Sequence, residues 1–428
     1  MKRILLLLIS VVIMSHVQAA DQYLISYNLV KTHTKQTLKA LWKSNKLPRV
    51  IVPVKYDVDI YEITYYGKFV DGTMRKASGI YYVPKTKEKS PYLVFCHGTE
   101  IHKSREISDK DAQQGIALGS ATNGYNALYP DYFGIANGDG NHIYQHAESE
   151  ANAIIYMLYA IDELNKKIGV TTNGQLFLTG YSQGGHASFA AHKYLEQLND
   201  PRFKVTASSP MSGAYDMNGD QAKFMFQVYP RPFYLPYLLV SYQEVYHVVN
   251  TDNIYSIFKV PYDSILPLYF EGERKHGLWD LNNILPKVPK DVVKDSFIEM
   301  FLHDPNFTFK ARLQDNNLYD WMPKAPVQLC YCQGDREVSY KNSEKVYEEM
   351  NKNGKKDIKL NNLSPQLDHN TCALFAVMAT VGFFDRFKKH GENPKMKDVP
   401  AFKKMLLGIV KKQEEKKYAE TKSDHAYY

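Results

Sequence analysis

The chain has 428 residues, of which 44% are hydrophobic and 23% are charged, and its formal net charge is +7 at pH 7. This composition is normal for a globular protein and is enough to bury a sizeable core in one large domain or two ordinary ones. The basic residues are spread along the chain apart from Lys-rich runs near the C-terminus, such as KKQEEKKYAETK. Such runs are typical of solvated helix faces, so nucleic acid is excluded as an expected partner.

The first residues of the chain have the pattern of a secretory signal. Two basic residues precede an apolar run from Ile4 to Met14, and the small residues Val17 and Ala19 follow at positions that a signal peptidase prefers. The apolar run is too short to span a bilayer, and no cysteine follows it as in a lipoprotein. We therefore expect residues 1–19 to be removed on export. Because no other apolar stretch has membrane length, the mature chain is expected to be secreted or periplasmic, without an integral membrane segment.

The next segments predict the start of a mixed sheet. Residues 20–49 are assigned only as an N-terminal segment, whereas residues 50–84 alternate between polar and apolar side chains as strands do. Asp71-Gly72 separates two such runs, which is typical of a β-hairpin.

Strand-like and helix-like segments then alternate up to about residue 214. The apolar strands are YLVFCHG, YNALYPDY and GQLFLTG, and the segments with helical spacing are ESEANAIIYMLYAIDELNKKIG, which Gly169 ends, and GGHASFAAHKYLEQL. Nearly continuous apolar strands that alternate with helices indicate a mostly parallel sheet with helices on both faces. We therefore predict an α/β fold, with the hairpin as the antiparallel part of the sheet.

The alternation is interrupted by a segment of different composition. The alternation of strands and helices resumes at APVQLCYCQGD. The intervening segment is rich in Phe, Tyr and Trp, and its several prolines exclude long regular elements. We predict that residues 215–321 are an inserted cap between two parts of the core, residues 50–214 and 322–392. The aromatic side chains either form the cap's own core or line an apolar substrate pocket. The charged tail, residues 393–428, is predicted to be a surface helix with a frayed end, or else a helix that lies on a membrane.

A glycine-rich turn carries the first sign of chemistry. Gly180-Tyr181-Ser182-Gln183-Gly184 is a G-x-S-x-G that follows an apolar strand and opens a helix. Glycines on both sides let the strand and the helix approach closely while Ser182 takes strained backbone angles and projects its hydroxyl. The helix N-terminus also favours negative charge beside the serine. We predict that Ser182 is a nucleophile, and the alternative is a turn with a structural role only.

A nucleophilic serine needs a base and an acid that orients the base. In a sheet of this kind the chain order is Ser, acid, His, and each residue follows a strand. Asp335 ends the strand of VQLCYCQGD, and His369 lies directly before the next helix, so we predict that Ser182, Asp335 and His369 form a triad. Glu337 is a weaker rival for the acid. The other histidines considered, which lie beneath the serine or in charged segments, are His186, His390 and His425.

Two backbone N–H groups should hold the oxyanion of the reaction. One is expected from Gln183, the residue after the serine, and the other from Thr99 or Gly98, in the loop VFCHGTE after the first buried parallel strand. Alternatively, Gly98 is needed only for the backbone conformation of the turn.

The four cysteines of the chain leave two possibilities open. Cys330 and Cys332 lie two residues apart in one predicted strand. Their side chains therefore point to the same face and cannot easily bond to each other. Either Cys96, Cys330, Cys332 and Cys372 are all buried thiols that act as small hydrophobic side chains, or a disulfide joins distant segments, for example Cys372 and one of the strand cysteines. No Cys/His cluster has the spacing of a zinc site, so no metal is predicted.

Taken together, these segments resemble the α/β-hydrolase superfamily and, within it, secreted bacterial esterases and the secretory lipases. The resemblance extends over residues 50–390 outside most of the cap and rests on ASGIYYVP, VFCHGT, LYPDYFGIANG, GYSQGGHAS, QGDREVSYKNSEKVYEEM and LDHNTC. It implies hydrolysis of a small-molecule, lipid or polysaccharide ester through an acyl-serine intermediate, with no cofactor. Asn370 departs from the common pattern, in which a glycine often follows the histidine.

Three other functions remain open on these residues. A peptidase of the same fold would use the same triad. Such enzymes usually carry a large gating domain, however, and the predicted cap is a poor substitute for one. An acyltransferase would pass the acyl group to an alcohol instead of water. A non-catalytic exported binding protein would have no need for all three triad residues.

Overall fold

One mixed sheet of nine strands forms the centre of the part of the chain that the computed structural model describes, which is residues 22–45, 52–272, 274, 276–390, 408 and 410–417. In chain order the strands are β1 (Leu24–His33), β2 (Val58–Lys68), β3 (Met74–Pro84), β4 (Ser90–Cys96), β5 (Asn126–Pro130), β6 (Thr172–Tyr181), β7 (Val205–Met211), β8 (Val327–Cys332) and β9 (Ile358–Ser364). Across the sheet they lie in the order β1-β2-β3-β5-β4-β6-β7-β8-β9.

The sheet has an antiparallel start and a parallel body. β1, β2 and β3 pair antiparallel, β3 is antiparallel to β5, and the later pairs from β5–β4 to β8–β9 are parallel. The hairpin expected at Asp71-Gly72 joins β2 to β3, and Gly72 has the positive φ, 83°, that suits such a turn. The carboxyl ends of the parallel strands meet at one edge, where ligands bind in open α/β sheets.

Helices cover both faces of the sheet, which confirms the predicted fold class. On one face lie α3 (Ala147–Ile168), α4 (Gln183–Leu198) and α11 (Lys341–Lys352), and on the other lie α1 (Lys35–Ser44), α2 (Ala112–Thr122) and α12 (His369–His390). Each face has its own apolar cluster: Leu158 of α3 packs with Leu178 of β6, and Phe384 of α12 packs with Phe177 of the same strand. Consecutive residues of β6 therefore pack on opposite faces of the sheet.

Two elements near the N-terminus are not predicted from the sequence. β1 and α1 lie within residues 20–49, which the sequence pattern leaves as an unassigned N-terminal segment. The expected signal, residues 1–19, lies outside the described residues, as does most of the tail; in the tail, residues 410–417 are helical. No helix in the described parts of the chain is long and apolar enough to cross a bilayer.

Short helices fill the chain between β7 and β8, where the cap is expected. They are α5 (Tyr234–Tyr246), α6 (Tyr262–Ile265), α7 (Pro267–Phe270), α8 (Leu278–Ile284), α9 (Asp295–His303) and α10 (Thr308–Asp315), with 3₁₀ turns between some of them. Tyr242, Phe258 and Phe309 are fully buried in an apolar cluster of this region, whereas Tyr229 and Tyr234 line a pocket beside Ser182. Aromatic residues between β7 and β8 are therefore found both in an apolar cluster and in the wall of a pocket.

The first turn of α4 lies directly against the sheet. A Cβ on Gly184 would overlap with the carbonyl oxygen of Cys96 at the end of β4, and a Cβ on Gly180 would overlap with the carbonyl of Gly184. These atoms belong to the backbone and cannot rotate away, so both positions require glycine.

Replacing Gly184 with alanine tests this contact. We expect Gly184→Ala to lower the free energy of unfolding by about 3 kcal/mol or more, because the overlap can be relieved only by a backbone shift. Gly115→Ala is the matched control, since a Cβ at Gly115 in α2 meets no atom within 4 Å. The control should raise the free energy of unfolding by up to about 1 kcal/mol through helix propensity. Urea unfolding measures both values, and similar effects of the two changes would contradict the contact.

Candidate active site

Ser182 occupies a strained turn between β6 and α4. Its backbone angles are φ 60° and ψ −121°, in a region that residues with a Cβ rarely adopt and that costs about 1–3 kcal/mol. The surrounding backbone holds it there: its N–H donates to the Met211 carbonyl of β7 at 3.0 Å, and its carbonyl accepts from the N–H of Gly185 at 2.9 Å. Ser182 is the residue before the first turn of α4, so its side chain lies beside the positive end of that helix.

Asp335 and His369 are brought together at the same edge of the sheet. Asp335 follows β8 and His369 begins α12, and His369 Nδ1–H donates to Asp335 Oδ2 at 2.6 Å with both side chains buried. The other carboxylate oxygen of Asp335 accepts the backbone N–H groups of Glu337 and Val338, both at 2.9 Å. The carboxylate is therefore fixed on both oxygens, and it fixes the tautomer that leaves His369 Nε2 unprotonated.

The charge of Asp335 changes the basicity of the histidine. Burial by itself would lower the pKa of His369, but the attraction and hydrogen bond of Asp335, with a smaller contribution from Glu337, outweigh it, so the pKa is raised above its ordinary value. Glu337, the rival acid in the sequence, does not take this place, because its carboxylate pairs with Arg231 at 2.7 Å.

Two features of the structure place Ser182 near the Asp335–His369 pair. Tyr181, the residue before the serine, donates its hydroxyl to the carbonyl of His369 at 2.6 Å, and its ring lies 4.9 Å from the imidazole. Ser182 also lines a pocket with Glu337 and Val338, whose N–H groups hold Asp335. Within the described residues Ser182 Oγ forms no hydrogen bond to His369. In enzymes without substrate such a bond is often long and tightens when substrate binds.

The expected oxyanion donors differ in their availability. The N–H of Gly98 donates to Gln113 Oε1 at 2.6 Å, whereas the N–H groups of Thr99 and Gln183 donate to no acceptor in the described parts of the chain. The loop lies beside the serine, since a Cβ on Gly98 would be 3.9 Å from the Cβ of Ser182.

A buried polar network that the sequence does not predict anchors the side chain of Gln183. Its amide Nε2 donates to Glu150 Oε1 at 2.8 Å and to His142 Nε2 at 2.6 Å. The second carboxylate oxygen of Glu150 accepts from His186 Nδ1 at 2.7 Å, so His186 lies beneath the serine turn, as its position one helical turn later predicts. Burial lowers the pKa of His142 to about 3, which keeps it neutral and able to accept this bond. No local sequence pattern predicts the roles of Glu150 and His142, because each lies more than thirty residues from Gln183 in the chain.

An apolar pocket opens beside Ser182 between the core and the cap. The empty space along it, counted out into open solvent, is about 620 Å³. Most of its wall is hydrophobic or aromatic: Ala214, Met217, Ala222, Phe224, Met225, Tyr229, Tyr234, Leu235, Leu238, Pro289, Leu313 and Val338. Its polar groups are few and include Glu337, Gln221 and Tyr144. The described residues contain no cluster of His, Cys, Asp and Glu that could hold a metal ion.

A disulfide joins the segments that carry the acid and the histidine. Cys332 at the end of β8 is bonded to Cys372 in the first turn of α12. Of the two possibilities left by the sequence, the one with four free thiols is therefore wrong, because the start of α12 lies directly over the end of β8. Cys96 and Cys330 are free and buried, as expected of thiols in core strands.

The strain at Ser182 can be measured without reference to any activity. We expect Ser182→Gly to have a free energy of unfolding about 1 kcal/mol higher than Ser182→Ala, because both lack the hydroxyl but only alanine keeps the Cβ at a positive φ. Ser188 in the interior of α4 provides the control pair. There glycine should be less stable than alanine by about 1 kcal/mol, as in any helix. The same sign at both positions, measured by urea unfolding, would show that Ser182 is unstrained.

Comparisons with known proteins identify structural relatives. No protein-family model and no curated protein matches the sequence. Among solved structures, the chain is similar to a Legionella pneumophila protein assigned as a hydrolase, with 26% identity, a TM-score of 0.79 and coverage of 86% of this chain and 99% of that chain. It is also similar to the rice cell wall degrading esterase LipA from Xanthomonas oryzae, with 25% identity, a TM-score of 0.74 and coverage of 85% and 97%.

A more distant similarity supports the fold alone. Candida antarctica lipase A in its closed state has 16% identity with the chain and a TM-score of 0.62, over 88% of this chain and 85% of that chain. These similarities agree with a mostly parallel sheet that has helices on both faces. The protein is therefore an α/β-hydrolase by fold, and it resembles the esterases and lipases of that superfamily.

Proposed function

We propose that the protein is an exported serine hydrolase that cleaves carboxylic esters through an acyl-serine intermediate. The observation that carries this proposal is the buried Asp335–His369 pair, joined by a 2.6 Å hydrogen bond at the sheet edge where the strained Ser182 faces an apolar pocket. A purely structural turn would need neither a charged acid–histidine pair beside it nor the strain at Ser182.

In the proposed reaction His369 accepts one proton and gives it up again in each of the two half-reactions. Its Nε2 accepts the Ser182 hydroxyl proton as Oγ attacks the ester carbonyl, and the resulting imidazolium is stabilised by Asp335. The tetrahedral intermediate collapses to the acyl-serine, and the leaving alcohol takes the proton from His369. Water then attacks the acyl group while His369 accepts its proton, and that proton returns to Ser182 Oγ as the carboxylic acid leaves.

The oxyanion of both tetrahedral intermediates would be held by the N–H groups of Gln183 and Thr99. Both donors are free within the described residues, whereas the Gly98 N–H is already bound by Gln113, which favours Thr99 over Gly98. The network around Glu150 and His142 anchors the Gln183 side chain and so restrains the turn that presents its N–H.

The pocket supports an ester with an apolar acyl group as the substrate. Its lining is mostly hydrophobic and includes both Ser182 and cap residues such as Leu313, so an acyl group on the serine would contact apolar side chains of the cap. The names of two structural relatives, an esterase that degrades rice cell wall and a lipase, are compatible with either a polysaccharide or a lipid ester.

Export to an oxidising compartment is supported by two independent features. The N-terminal residues have a signal-like pattern, and Cys332 and Cys372 form a disulfide, which persists mainly outside the cytosol.

Removing the nucleophile tests the proposed function directly. We expect Ser182→Ala to lower kcat/KM for p-nitrophenyl esters by about 10³-fold or more, because only the background of binding and oxyanion stabilisation would remain. Ser188→Ala is the matched control, since it removes another buried hydroxyl from α4, one that donates only to the Gly185 carbonyl at 3.1 Å. Wild-type turnover in Ser182→Ala would refute the serine mechanism.

The pH dependence of kcat/KM tests the role of the acid. His369 acts as a base only when it is neutral, so activity should fall as the pH decreases through its raised pKa, and the acid limb should lie above the ordinary pKa of histidine. Asp335→Asn should lower kcat/KM by about 10³–10⁴-fold, because an amide favours the wrong imidazole tautomer. An acid limb below the ordinary histidine value in the wild type, or a small effect of Asp335→Asn, would contradict this assignment.

A further inference from the structure

Glu337 is a second buried carboxylate beside the Asp335–His369 pair, and the proposed reaction uses it only through its small effect on the pKa of His369. It lies two residues after Asp335 and is only 7% exposed. Its backbone N–H donates to Asp335 Oδ1 at 2.9 Å, so any displacement of Glu337 would also displace a donor that orients the acid. The segment of Asp335 to Val338 is named the acid loop below.

Several groups of the cap converge on Glu337. Arg231 pairs with its carboxylate at 2.7 Å, and Tyr234 donates its hydroxyl to the other carboxylate oxygen at 3.4 Å. The backbone carbonyl of Glu337 accepts from the hydroxyl of Tyr229 and from Gln221 Nε2, the latter at 3.2 Å. Four residues of the first part of the cap, residues 221–234, thus bind one residue of the acid loop.

The Arg231–Glu337 ion pair differs from the surface pairs of the protein in its burial. The side chains of Arg231 and Glu337 are 14% and 10% exposed. Burial raises the pKa of Glu337 above its ordinary value, and the nearby His369 and Arg231 offset this only in part. Loss of one partner from such a pair leaves an uncompensated charge in a poorly hydrated site, so the contact fixes the relative position of its two segments more firmly than an exposed pair would.

The residues that meet at this contact also line the pocket beside Ser182. Tyr229 and Tyr234 belong to the cap wall of the pocket, and Glu337 and Val338 belong to the wall formed by the core. The two walls are therefore joined at Glu337. Other cap residues that line the pocket, such as Leu238 and Leu313, come later in the chain than the segment bound to Glu337.

We propose that Glu337 is a positioning residue that determines acyl-chain specificity: through Arg231 it holds the cap wall of the pocket against the acid loop. This inference rests on the proposed ester hydrolysis. A short acyl group on Ser182 contacts mainly the core wall near the serine, whereas a long chain must also pack against the cap wall. Loss of the Arg231–Glu337 contact therefore weakens the selection of long chains more than it weakens the chemistry at the serine.

The experiment compares the hydrolysis of p-nitrophenyl laurate and p-nitrophenyl acetate by four forms of the full chain: wild type, Glu337→Gln, Arg231→Met and the double variant. We expect the ratio of kcat/KM for laurate to that for acetate to fall about tenfold in each single variant, mainly through the KM for laurate. The double variant should lose no more than either single variant, because both remove the same contact. Arg231→Lys keeps the positive charge and should recover part of the ratio.

An exposed ion pair of the cap provides the matched control. Lys259 and Asp295 are also 2.7 Å apart, but Asp295 is 88% exposed. Lys259→Met and Asp295→Asn should leave the laurate-to-acetate ratio unchanged, since exposed pairs contribute little. Equal losses for laurate and acetate in Glu337→Gln, or additive losses in the double variant, would overturn the specificity role. A change in the control variants equal to that in Glu337→Gln would overturn it as well.

A second measurement separates this inference from the proposed function. If wild type hydrolyses no ester, or Ser182→Ala retains turnover, the proposed function fails, but hydrogen exchange still reports on the contact itself. Glu337→Gln and Arg231→Met should each speed amide exchange in residues 221–238 of the cap, relative to wild type and to Asp295→Asn. Unchanged exchange in this segment would show that the pair does not hold the cap wall.

Discussion

The close packing of the first turn of α4 against the sheet backbone is the constraint on which the rest of the candidate site depends. Gly184 leaves no room for a side chain beside the Cys96 carbonyl, and Gly185 leaves none beside the Met211 carbonyl. Because the helix must start in contact with both β4 and β7, the residue between β6 and α4 has to turn within a single position. Ser182 makes that turn by adopting a positive φ. Its side chain lies at the edge of the sheet where β4 and β8 also end.

Much of this arrangement follows from the sequence because its signals are local or follow from chain order. Apolar strands alternating with helices are enough to predict the parallel sheet, and the G-x-S-x-G turn is read from five consecutive residues. Asp335 and His369 are predictable because each follows a strand whose carboxyl end must reach the same edge. β1 is not predictable in this way, since most of its side chains are exposed and its pairing with β2 depends on backbone bonds. Glu150 and the Cys332–Cys372 pairing depend on how distant segments pack, and nothing local in the sequence records that.

Two buried carboxylates flank the serine turn, Glu150 on one side and Glu337 on the other. Behind the turn, Glu150 is satisfied by the side chains of Gln183 and His186, and in front of it Glu337 is satisfied by Arg231 and Tyr234. Buried carboxylates are costly unless every oxygen has a donor, so each of these sites accepts only a narrow set of neighbours. The apolar clusters stabilise the sheet without directional preference, whereas these two carboxylates restrict the orientation of the segments that meet at Ser182.

The Cys332–Cys372 disulfide makes the stability of the protein depend on the compartment in which the chain folds. The two cysteines are 40 residues apart, and closing a loop of that length removes entropy from the unfolded chain worth about 4 kcal/mol at 25 °C on a chain-entropy account. Cys332 lies three residues before Asp335 and Cys372 three residues after His369, so the bond closes over the acid–histidine pair itself. A precursor kept in a reducing cytosol would lack the crosslink at the place where the pair is assembled. Under the export proposed above, oxidation outside the cytosol would form this crosslink beside the acid–histidine pair and stabilise the chain in the same step.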